Sequence, residues 1–96
     1  MELKSLREIT LTAASQAEII QLAGKEQEKV LWAIAEERDL TACAIWLKDA
    51  IAVIDESIGR WKSEGGKTVA LEGLRDLFED NLLDAQRLLL ADPSRI

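Results

Sequence analysis

Residues 40–62 read LTACAIWLKDAIAVIDESIGRWK, and the spacing within this stretch decides the fold. Leu40, Cys43, Ala44, Leu47, Ala50, Ile51, Ile54, Ile58 and Trp61 recur three and four positions apart. At 3.6 residues per turn that spacing draws one apolar stripe along an α-helix. Asp39 precedes the stripe as the expected N-cap, its carboxylate accepting a free amide hydrogen. Gly65 and Gly66 follow it, where a helix C-terminus needs a residue in the left-handed conformation. Such a helix is roughly 35 Å long at about 1.5 Å per residue.

Beyond the turn at SEGG, a second stripe begins at about Thr68 and runs to Ala91, carried by Leu71, Leu74, Leu77, Phe78, Leu82, Ala85, Leu88 and Leu89. Asp92–Pro93 is its expected stop, because proline disfavours helical geometry in the residue before it. Two long amphipathic helices, about 40–62 and 68–91, joined by so short a connection form an antiparallel hairpin. Gly73 falls inside the second helix at a cost of about 1 kcal/mol relative to alanine, and marks either a close crossing or a kink.

Upstream, Ile19, Ile20, Ala23, Val30, Leu31 and Ile34 again follow helical spacing. Ser15 with Glu18, and Ser5 with Glu8, have the spacing of the capping box, which offers two helix starts. The segment between them includes ITLT, whose β-branched residues suit a helix poorly. The expectation is a short N-terminal helix or an irregular arm, followed by a helix opening at Ser15. Residues 15–38 form either one helix or two broken near Gly24. The whole chain, 1–96, therefore reads as one all-α domain: a small bundle built on the hairpin, with one or two N-terminal helices packed against it.

Composition narrows function. With 12 basic and 18 acidic residues the net charge is −6, so the averaged field repels phosphate backbones and anionic membranes. The one cysteine, Cys43, has no partner for an internal disulfide, and no run approaches the roughly 18 apolar residues of a membrane span. No secretory leader is visible, so a cytoplasmic location is expected. The chain has no histidine and no tyrosine, and Cys43 lies within an apolar stripe, where a thiol is an inert small hydrophobe. SEGGKT lacks the first glycine of a phosphate-binding loop and has no preceding strand. No catalytic residue, cofactor or metal ligand is expected.

Two resemblances offer alternatives. Residues 15–30, SQAEIIQLAGKEQEKV, place a polar cap, apolar Ile19, small Ala23, Gly24 and apolar Val30 in the order of the bacterial helix-turn-helix, which they resemble over about 20 residues. The resemblance implies a DNA-binding regulator in which residues 15–34 form the motif and Lys25, Gln27 and Lys29 meet the duplex. Ile20 stands where such motifs usually carry alanine and Lys25 where they carry an apolar residue. Residues 15–38 also contain three basic and five acidic residues, a poor balance for phosphate contact. Separately, Glu36–Glu37 and the run from Asp76 to Asp80 look like the acidic motifs of MazG-type nucleotide pyrophosphatases, implying a carboxylate-metal hydrolase. The chain lacks the Glu-Glu-x-x-Glu cluster of that family.

Apolar residues outside the main stripes carry the favoured reading. Trp46 and Val53, seven apart, lie on the shoulder of the first long helix; Leu83 and Leu90, also seven apart, emerge on the acidic side of the last. A two-helix hairpin cannot bury both pairs, so the N-terminal helix covers one and the other is left for a partner. Glu72, Asp76, Asp80 and Asp84 form a ladder at four-residue spacing, with Glu79 beside it. Like charges so placed repel along a helix, which points to a solvated face or, functionally, to a docking face for a basic partner, an acidic mimic of nucleic acid or a carboxylate metal site. Asn81, on the apolar side, is a candidate for fixing register. The expected function is a small non-enzymatic interaction or regulatory module that binds another protein through a helical face, with self-association a further option. Its candidate contacts are Trp32, Trp46, Val53, Leu83 and Leu90, with Asp76, Asp80 and Asp84 supplying charge.

Overall fold

In the computed structural model, which describes residues 1–91, the expected hairpin is formed by α3 (Leu40–Ser63) and α4 (Val69–Ala91), preceded by α1 (Leu6–Thr12) and α2 (Gln16–Ala35). The Asp92–Pro93 stop lies outside the described residues. α3 and α4 are the most closely packed pair.

The turn that joins them is built from its glycines. The Gly66 amide donates to the Trp61 carbonyl at 2.8 Å and the Gly65 amide to the Lys62 carbonyl at 3.0 Å, the paired bonds of a Schellman motif. Gly65 takes φ 81°, where any side chain is strained. A Cβ on Gly66 would sit 3.1 Å from the Trp61 carbonyl oxygen. By contrast, a Cβ on Gly73 would meet nothing within 4 Å, so neither a close crossing nor any contact explains that glycine.

The α2–α3 connection departs from expectation. The Arg38 amide reaches the Ala33 carbonyl at 2.9 Å and the Glu37 amide the Ile34 carbonyl at 3.0 Å, so α2 ends in the same motif as α3. Here Glu37, at φ 53°, occupies the place that Gly65 takes in the other turn. Asp39 precedes α3 as anticipated but in the left-handed conformation, with φ 51° and ψ 31°, and its side chain makes no capping bond. Its carbonyl instead accepts the first helical hydrogen bond, from Cys43 at 2.9 Å.

Both serine starts are realised. Ser15 Oγ accepts from the Glu18 amide at 3.2 Å, and Glu18 Oε2 reaches back to the Ala14 amide at 3.1 Å. Ser5 Oγ accepts from the Glu8 amide at 3.2 Å. ITLT is helical despite its β-branching because its isoleucine is buried, while its threonines are accommodated by bonding back to the helix. Ile9 is fully buried, and together with Leu6 it plugs the core; each such side chain contributes about 1.5–3 kcal/mol. The hydroxyls of Thr10 and Thr12 turn back onto the carbonyls of Arg7 and Glu8, each at 3.0 Å. Tertiary burial thus outweighs a weak local preference.

α2 is one helix through Ala23, Gly24 and Lys25, so the turn that the helix-turn-helix reading of residues 15–34 requires does not exist. Continuity keeps Ile19, Ala23, Val30 and Ala33 on a single buried line, a gain that exceeds the roughly 1 kcal/mol cost of a mid-helix glycine. The core cluster draws on all four helices, with Ile9, Val30, Leu47, Ile54, Leu71 and Phe78 fully enclosed. Leu31 and Leu77, which share the periodicity of their helices, are nonetheless exposed at the edges of the stripes.

Candidate functional site on the outer face of the hairpin

Of the two off-stripe pairs, the N-terminal helices cover one. Trp46 is 8% exposed and Val53 6%, so neither is presented to a partner as the sequence reading had it. Trp46 instead organises the interior. Its indole N–H donates to the Lys4 carbonyl at 2.9 Å, pinning the chain that leads into α1. Its ring meets Phe78 edge-on, with centroids 5.4 Å apart and planes at 80°, a geometry favoured by the aromatic quadrupole.

Leu83 and Leu90 stay outside, 55% and 77% exposed. Residues two apart on a helix point about 200° away from one another. Lys48 and Ile51, two positions from Trp46 and Val53, therefore face away from α1 and border an open groove with Glu79, Leu82 and Leu83. Its volume is about 430 Å³. Ile51 and Leu82 are half-buried and pack on the core, so the floor is apolar. Ile45, 60% exposed, lies about 120° round α3 from Ile51, away from the groove floor.

Trp32 is 62% exposed but lies elsewhere, beside Glu28, Leu31 and Ala35 on α2. The structure does not bring it into the groove with Leu83. Asp84 follows Leu83 directly and so points about 100° away from it; Arg87 lies 3.7 Å from its carboxylate.

On α4, Arg75 is the centre of the local charge pattern. Its guanidinium donates to Asp55 on α3, reaches Glu79 at 3.1 Å and lies 3.8 Å from Asp76. The hydrogen bond to Asp55, aided by these carboxylates, raises its pKa further. Lys62 answers Glu72 at 3.2 Å across the hairpin. Asp80 makes no ion pair among the described residues. Glu72, Asp76 and Asp84 thus each have a cation beside them, and Asp80, one turn before Leu83, is the rung left unpaired among the described residues.

Two of the three residues expected to meet DNA are bonded within the molecule. Gln27 donates to Asn81 Oδ1 at 3.0 Å, Lys29 pairs with the buried Glu26 at 3.0 Å, and Lys25 alone is an exposed cation of the three with no such bond. Asn81 therefore makes its hydrogen bond inside the bundle, between α2 and α4, rather than at an outer interface. Among the described residues no three His, Cys, Asp or Glu side chains gather to hold a metal, and Glu36 and Glu37 do not join Asp76 and Asp80 in such a group. Cys43 is buried, and desolvation, followed by the nearby Asp39 charge, raises its thiol pKa. That disfavours the nucleophilic thiolate. Among the described residues no helix is long and apolar enough to cross a membrane.

Glu26 went unnoticed in the sequence, although its position signals burial. It lies three residues after Ala23 and four before Val30, on the buried line of α2. Comparison with protein-family models, with curated proteins and with solved structures finds no match to this chain.

Proposed function

We propose that this protein is a small non-enzymatic interaction module that binds another protein through the outer face of α3 and α4. One observation carries the reading: Leu83 exposes its apolar side chain beside the groove floored by Ile51 and Leu82, and Leu90, two turns further along the same side of α4, is exposed as well. Large apolar side chains placed next to one another on a surface mark association sites more often than scattered ones do. The buried pair, Trp46 and Val53, gives the contrast, since the same fold had the means to enclose such residues and did so on its other side. The acidic residues flanking Leu83 add a polar rim of the kind that surrounds interface cores.

A photo-crosslinking amino acid placed at position 83 in the native host tests the reading. The expected result is a discrete protein adduct from position 83, and none from position 69, which is as exposed but sits at the far end of α4. Absence of any adduct at position 83, with the protein folded and abundant, overturns it. An adduct of twice the chain mass identifies self-association; a different mass identifies another partner.

A further inference from the structure

The chemistry of the groove narrows its occupant, given the reading just proposed. Leu83 recurs at Leu90 after seven residues, two helical turns, the repeat at which a docked helix presents its own apolar side chains. The groove between α3 and α4 is bordered by Leu83, and Leu90 continues the same side of α4 beyond it. Around Leu83, one turn back stand Glu79 and Asp80, and two turns back Asp76. Arg75 is occupied by Asp55 and Glu79, and Asp80 makes no ion pair among the described residues. On the opposite lip the charged neighbour is the single Lys48.

We infer that the groove takes an amphipathic helix from a different protein, with apolar side chains at three- and four-residue spacing and lysine or arginine along one flank. The apolar side lies on Ile51, Leu82, Leu83 and Leu90. The basic flank lies against Asp76, Glu79 and Asp80. A second copy of this chain is the poorer occupant, because a twofold interface sets each patch against its equal. Asp76, Glu79 and Asp80 would face the same carboxylates, with Lys48 and an Arg75 already engaged by Asp55 as the cations of each copy to answer them, in a chain of net charge −6.

The probe is an 18-residue leucine/lysine amphipathic peptide, compared with a leucine/glutamate twin, titrated by fluorescence anisotropy into the whole protein and mapped by amide chemical shifts. The lysine peptide is expected to bind, to shift amides around 48–51 and 79–83, and to weaken as salt rises. Leu83→Glu should weaken it about tenfold or more. Lys48→Glu should tighten it, because it removes the one repulsive charge at the rim. Both sites are exposed, so an unchanged melting midpoint certifies each variant. Equal binding of the two peptides, shifts centred on Trp32, loosening by Lys48→Glu, or a concentration-dependent dimer that buries Leu83 would each overturn the inference. If the peptide fails while position 83 still crosslinks to another protein, the occupant has been misjudged and the interaction reading stands; if neither occurs, both fall.

Discussion

Gln27 on α2 donates its side-chain amide to Asn81 on α4 at 3.0 Å, at the edge of the core. Asn81 is nearly enclosed and Gln27 half-buried, so removing either leaves the other's amide short of a partner at a desolvation cost. Asn81→Ala is expected to lower stability by about 1–3 kcal/mol. A double-mutant cycle with Gln27→Ala should give a coupling of roughly 0.5 kcal/mol or more. Urea unfolding of the four proteins measures it, and strictly additive losses would mean that the bond contributes nothing.

Trp46 holds the approach to α1 by one hydrogen bond. Trp46→Phe retains most of the ring contact with Phe78 but strands the Lys4 carbonyl. The expected loss is about 1–2 kcal/mol, accompanied by faster amide exchange in residues 6–12 than in α3. An exchange pattern indistinguishable from the parent protein would separate Trp46 from the anchoring of α1.

Two glycines should respond in opposite directions to alanine. Gly65 needs its φ of 81°, so Gly65→Ala is expected to destabilise by about 1 kcal/mol. Gly73 is helical, exposed and free of neighbours, so Gly73→Ala is expected to stabilise by about 0.4–1 kcal/mol. Thermal midpoints of the two variants moving the same way would contradict this account.

Alkaline pH probes Cys43. Because burial raises the thiol pKa in the fold, the folded chain keeps this proton to a higher pH than the unfolded chain. The contribution is complete below the ordinary thiol value of about 8.5 and is lost as pH rises through the folded value. Urea midpoints should therefore fall between pH 7.5 and 9.5, less steeply in Cys43→Ala. Identical slopes for the two proteins would remove Cys43 as the cause.

The hairpin was legible in the sequence because its signals are local and repeated: two stripes, a Gly-Gly turn and long runs without proline. The capping serines were legible for the same reason. The left-handed Asp39 was not, since a residue suited to capping gives no notice that its backbone will enter another conformation. Nor was the choice between the two exposed pairs, which depends on where α1 lands. The groove's existence was half legible: the sequence presented Leu83 and Leu90 correctly but grouped them with Trp32, Trp46 and Val53, which periodicity cannot place on a face of the assembled bundle. The buried lines of α2, α3 and α4 each include one polar residue at an apolar position, Glu26, Ser57 and Asn81. Their spacing from Ala23, Val53 and Phe78 is as regular as that of any leucine.

The five-residue turn between α3 and α4 also sets an order of assembly. Closing so short a loop costs little chain entropy, and the pair it joins is the most closely packed. The N-terminal segment must instead bring Lys4 to Trp46, 42 positions away in the chain, with only the seven helical residues of α1 behind it. The hairpin is therefore expected to form first and α1 to dock last and leave first. Were α1 to leave, Trp46 would lose the Lys4 carbonyl that caps its indole, and the chain would expose a second apolar surface on the side opposite the groove.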